Sequence, residues 1–109
     1  MKLNIAERIA LLNILPLEGN LVTLKIIRTL QSELAFSEEE IKRFKVKNTM
    51  KPDGSAFVVW NSDFTKETKD VEIGEVAHSI IVEQLKMLEN AKRLRLELLD
   101  LYEKFVGKA

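Results

Sequence analysis

The chain has 109 residues, 46% of them apolar and 31% charged, with 17 basic residues balancing 17 acidic ones and no cysteine. A single domain over 1–109 fits this length, and such a chain can bury a core without disulfides or a metal. The composition excludes a disulfide framework and every thiolate metal site. It also removes the global basic excess on which non-specific DNA binding relies. No apolar run approaches the ~20 residues that cross a bilayer. Glu7 and Arg8 stand where a signal peptide needs an apolar stretch. A soluble protein of the cytoplasm, with no membrane partner, is therefore expected.

Asn4-Ile5-Ala6-Glu7 reads as a capping box opening a first helix, with Ile5, Ile9 and Leu12 at helical spacing until Pro16 stops it. Glu18-Gly19-Asn20 is a tight connection to a second helix, about Leu21 to Leu34, with Leu24, Ile27, Leu30 and Leu34 on one face. Ser37-Glu38-Glu39-Glu40 is another capping box, its carboxylates suited to the positive end of a helix dipole. The helix it opens is short, ending near Phe44, with Ile41 and Phe44 as inward anchors. Val46 to Met50 then alternates. Lys51-Pro52-Asp53-Gly54 is a turn, and Ala56-Phe57-Val58-Val59-Trp60 is β-branched and aromatic, so a β-hairpin is predicted. Asn61 to Lys69 is polar and reads as an exposed loop, and Val71-Glu72-Ile73 reads as a short third strand.

From Gly74 onward the pattern is helical. Ala77, Ile80, Gln84, Met87, Ala91, Leu94, Leu98, Leu101 and Phe105 step by alternating threes and fours, a heptad seam in which Gln84 is the polar member. Unbroken from Glu75 to Val106, the helix would be roughly 45 Å long, more than the width of so small a domain. It either projects to meet a partner or breaks. The polar stretch Glu89 to Arg93 is where a break is expected, giving two helices that fold back. The fold class is thus α+β, mainly α: three helices, a hairpin with a short third strand, then one long or two folded-back helices.

Residues that could carry chemistry are few. His78 is the only histidine, and without companions at ligand or catalytic spacing it reads as structural. Glu38, Glu39 and Glu40 are consecutive on a helix, point in different directions and cannot converge on one ion. No Gly-rich phosphate loop or nucleophile elbow occurs. The expectation is a non-enzyme with no cofactor and no metal.

Two candidate contact surfaces remain. The seam residues Ile80, Gln84, Met87, Leu94, Leu98, Leu101, Tyr102 and Phe105 form a candidate partner interface, for a second copy of the chain or a host protein. Lys42, Arg43, Lys45, Lys47 and Lys51 form a basic cluster running into the hairpin. Lys45, Lys47, Lys51 and Trp60 are the candidate contacts to phosphate, nucleotide or nucleic acid, since lysines neutralise phosphates and an aromatic ring stacks on bases. The competing reading is a solvated face with Trp60 in the core. The order helix–helix–helix–hairpin–helix also matches a winged helix, with 38–44 as recognition helix. Three glutamates at its start would be repelled by DNA, so such a scaffold suits protein contacts better.

Several stretches together carry a resemblance: Leu11 to Pro16 followed by Glu18-Gly19-Asn20, Thr23 to Ile26, Phe36 to Glu40, Ile73-Gly74-Glu75 and Leu101 to Phe105. With these the chain resembles a family of small uncharacterised proteins encoded by bacteriophages and prophages. The likeness touches most of the chain except the hairpin loop and the polar loop after Trp60. Between the last two helical segments, members are more polar than Asn90 to Leu96 is here. The family transfers no activity, ligand or catalytic residue; it implies a phage-encoded protein working in a bacterial cytoplasm. Three functions fit that setting. One is a self-associating binding protein that sequesters or blocks a host component, such as a defence effector or its nucleotide messenger. The others are a winged-helix-like DNA-binding regulator and a virion structural or assembly subunit.

Overall fold

The structure, a computed structural model, describes residues 1–107. It is α+β and mainly α. Five helices run Ile5–Ile14 (α1), Leu21–Leu34 (α2), Glu38–Phe44 (α3), Glu75–Asn90 (α4) and Leu99–Phe105 (α5). Four short strands, Lys2–Asn4 (β1), Lys47–Met50 (β2), Ala56–Val59 (β3) and Thr68–Asp70 (β4), form two separate antiparallel ribbons, β1–β4 and β2–β3.

The local signals act as their chemistry demands. Asn4 and Ser37 each accept the backbone N–H three residues on, while Glu7 and Glu40 reach back to the cap amides, so both capping boxes are complete. The hairpin turn places Gly54 at φ +89°, where a side chain would be strained. Gly54 N–H donates to Lys51 O at 2.9 Å and Lys51 N–H to Ser55 O at 2.8 Å, a type I turn closed by a glycine bulge. Asp53 Oδ1 accepts the Ser55 amide at 2.9 Å and its hydroxyl at 2.7 Å, which lowers the Asp53 pKa.

The C-terminal segment breaks and folds back. α4 ends in a Schellman motif: Arg93 N–H donates to Leu88 O at 2.8 Å, Lys92 N–H to Glu89 O at 2.9 Å, and Lys92 takes φ +57°. A continuous helix of roughly 45 Å would also overrun the molecule's longest dimension of 34 Å.

Ile41, expected to face inward with Phe44, is 42% exposed, and Leu24 at the start of the α2 row is exposed too. Three further expectations need correction. The third strand lies at 68–70, not 71–73, and pairs with β1 at the N-terminus, Leu3 opposite Lys69. Val71 lies beyond it, buried, its N–H bonded to Met1 O. The polar stretch 61–69 is accordingly no simple loop, since it holds a 3-10 turn at Ser62–Phe64 and most of β4. The inward row of α4 is Ala77, Ile81 and Leu85, stepping by fours, rather than Ala77, Ile80, Gln84 and Met87. Fours follow the ridge of a straight helix packed in a globular core; a three-four alternation is what a supercoiled seam would require.

One core unites these pieces. Leu3, Leu11, Leu15, Ile27, Leu30, Leu34, Val71, Ile81, Leu85, Leu98, Leu101 and Phe105 are all buried in it.

Candidate functional site

The eight seam candidates do not share one surface. Leu98, Leu101 and Phe105 lie in the chain's own core, with Leu94 and Tyr102 packed against it. Their partner is the rest of this domain, because α5 folds back on α1 and α4. Tyr102 is further committed: its hydroxyl donates to Glu89 Oε2 at 2.6 Å, which raises its pKa. These five residues are withdrawn as an exposed interface. Ile80, Gln84 and Met87 remain as a stripe along one flank of α4. Ile80 is half-buried and Met87 is 56% exposed.

Gln84 has a role that periodicity does not reveal. Its Nε2 donates to Ile14 O at 3.0 Å, satisfying a carbonyl in the last turn of α1. It thereby locks α4 against α1 at the mouth of a groove of about 910 Å³. Met87 and Leu17 line this groove, together with Arg93, Arg95, Glu18 and Glu97. Ala56, at the start of β3, lines it too, so the hairpin and the helical end border one space.

Several large aliphatic side chains are exposed near this groove. Leu17 is 83% exposed and Leu96, between Arg95 and Glu97, is 87% exposed. Leu21 and Val22, in the first turn of α2, are exposed as well. Leu17 and Met87 share one groove, and exposed aliphatics gathered inside a charged rim mark interaction sites in small proteins. Here the rim carries both signs, Arg93 and Arg95 against Glu18 and Glu97.

The basic cluster is not assembled into one site. Lys45 is the left-handed C-cap of α3 at φ +55°. Lys47 and Lys51 are exposed on the hairpin, Lys51 with its amine 5.6 Å from the Phe57 ring centroid. Strand alternation puts Lys47, Thr49 and Lys51 on the ribbon face of Phe57 and Val59, and Trp60 on the opposite face with Ala56 and Val58. Trp60 is half-buried outside the core, its Nε1 donating to Thr65 Oγ1 at 3.4 Å. Lys47 and Lys51 thus lie on the ribbon face opposite Trp60, and Lys45 lies off the ribbon at the end of α3. Arg43 is paired with Glu67 and lies over the Phe44 and Phe64 rings.

At the other end, Arg8 is 1% exposed. Glu40, read from sequence as a helix-start charge, is its partner, and that ion pair pulls the Glu40 pKa down to about 2. His78 packs its ring on Phe105, centroids 5.2 Å apart. Among the described residues no group of three or more His, Asp or Glu side chains is placed to hold a metal ion, and no helix is long and apolar enough to cross a membrane.

No protein-family model, curated protein or solved structure matches this chain.

Proposed function

We propose that this chain is a non-enzymatic interaction protein that self-associates through the exposed flank of its C-terminal helical region and, as an assembly, blocks or sequesters a host component. The observation that carries this reading is the pair of exposed aliphatics Leu17 and Met87 in the α1–α4 groove, with Leu96 exposed between the groove-lining Arg95 and Glu97. A two-fold interface must be self-complementary, because the same patch meets itself. A rim bearing Arg93 and Arg95 beside Glu18 and Glu97 meets that condition, and a chain of formal charge zero does not repel its copy. The resemblance to phage and prophage proteins implies the bacterial cytoplasm as the working place, and a host component as the target is part of this proposal.

Sedimentation equilibrium on the wild type and Met87→Glu tests this reading. The wild type is expected to be dimeric at micromolar concentrations, and the variant monomeric with an unchanged fold. A wild type that stays monomeric up to millimolar concentration removes the proposal.

A further inference from the structure

β3 followed by Trp60, Ala56-Phe57-Val58-Val59-Trp60, is strongly strand-favouring and carries no charge. Yet it belongs to a sheet of only two strands, a unit that is marginal by itself in water. Bonded and non-bonded pairs alternate along an antiparallel ladder. Because Lys51 N–H donates to Ser55 O, the bonded pairs of the observed register are Thr49 with Phe57 and Lys47 with Val59. The N–H and C=O groups of Ala56 and Val58, and by continuation Trp60, point away from β2. None of these three amides has a backbone partner among the described residues.

Free edges are ordinarily blunted by lysine, proline or a bulge. In this hairpin Lys47, Lys51, Pro52 and the glycine bulge all lie on β2 or in the turn. β3 itself carries none.

We infer that the free edge of β3 docks β3 of a second copy, the two strands pairing antiparallel about a two-fold axis at Val58 to make a four-stranded sheet. This deepens the self-association reading and rests on it. In that register Val58 bonds Val58 of the second copy, and Ala56 bonds Trp60 of the second copy. Phe57 then faces Val59 of the second copy. The pairs are self-complementary: small against large at Ala56 and Trp60, aromatic against β-branched at Phe57 and Val59. The charges also select this edge. Joining the copies through β3 leaves the lysine-bearing β2 strands outermost, three strand spacings or about 14 Å apart, beyond the ~8 Å screening length of physiological salt. Joining them through β2 would set lysines side by side. Ala56 also lines the groove of Met87 and Leu17.

The test is Val58→Pro. It removes a donor aimed outward and leaves Phe57 and Val59 to bond β2, and proline is tolerated on an edge strand in that position. Sedimentation equilibrium should show the dimer weakened at least tenfold, with far-UV circular dichroism unchanged. On the wild type, the Val58 amide should exchange more slowly as protein concentration rises, and this second measurement decides the matter if the proline variant does not fold. A Val58→Pro dimer as tight as wild type, or a Val58 amide whose exchange ignores concentration, overturns the strand pairing. If Met87→Glu dissociates the dimer while Val58→Pro does not, self-association stands and strand pairing alone fails. A wild type that never dimerises removes both.

Discussion

Arg8 and Glu40 meet as a bidentate ion pair, Nη1 to Oε2 at 2.6 Å and Nη2 to Oε1 at 3.2 Å. The same guanidinium donates from Nε to Leu34 O at 3.1 Å and from Nη2 to Ala35 O at 2.8 Å, and its carbon lies 4.0 Å from the Phe36 ring centroid. One side chain of α1 thus satisfies the carbonyls that end α2 and grips the first turn of α3. Arginine's planar fork suits this task and lysine's single point charge does not. Glu40 serves two masters, since its Oε1 also accepts the Ser37 amide at 3.0 Å.

Arg8→Met should therefore cost about 2–4 kcal/mol, because it leaves two carbonyls short of donors and a carboxylate without its partner. Arg8→Lys should recover only a small part of that loss. Urea denaturation of the three proteins measures it; a lysine variant as stable as wild type would show that charge alone suffices.

The pair also sets an acid dependence. Glu40 has its pKa lowered from 4.5 to about 2 by the Arg8 hydrogen bonds. A depressed carboxylate stabilises the fold above its ordinary pKa and loses that contribution as pH falls toward the folded-state value. The stability gap between wild type and Glu40→Gln should be full above pH 4.5 and close as pH approaches 2. A gap independent of pH would mean the carboxylate charge is not what Arg8 holds.

Gln84→Leu should cost on the order of 1 kcal/mol, because Ile14 O loses its side-chain donor while the new side chain keeps the volume. In a coiled-coil seam the same change would stabilise the assembly instead. Thermal unfolding at two protein concentrations separates the two outcomes.

Leu98→Glu and Met87→Glu should differ in kind. The first buries a charge in the core and should unfold the domain or cost more than ~3 kcal/mol. The second changes an exposed residue and should leave the melting temperature of the monomer nearly unchanged. Equal destabilisation by both would place Met87 in the core as well.

Helix ends were legible because capping is local chemistry. Asn4, Ser37 and Gly54 each act on partners within three residues, and the bounds of α2 and α3 follow from the sequence. The break after Asn90 was marked by the polar run Glu89 to Arg93. Arg8 was not legible, since its partners Leu34, Ala35 and Glu40 lie 26 to 32 residues away and a periodicity count scores it as polar surface. The β1–β4 ribbon escaped for a related reason. Strands of three residues leave almost no alternation to read, and their pairing is set by distant contacts. Periodicity alone places the seam one ridge away from the buried row Ala77, Ile81 and Leu85. Ile80 and Ile81 are equally apolar, and only packing against α1, α2 and α5 chooses between them. That choice freed Ile80, Gln84 and Met87 for the surface and withdrew Leu94, Leu98, Leu101, Tyr102 and Phe105 from it.

Sedimentation equilibrium of the wild-type chain over micromolar to millimolar concentration tests the central claim most directly. A species of twice the 12.5 kDa chain mass, lost on Met87→Glu, is the predicted result. A single 12.5 kDa species at every concentration would contradict it.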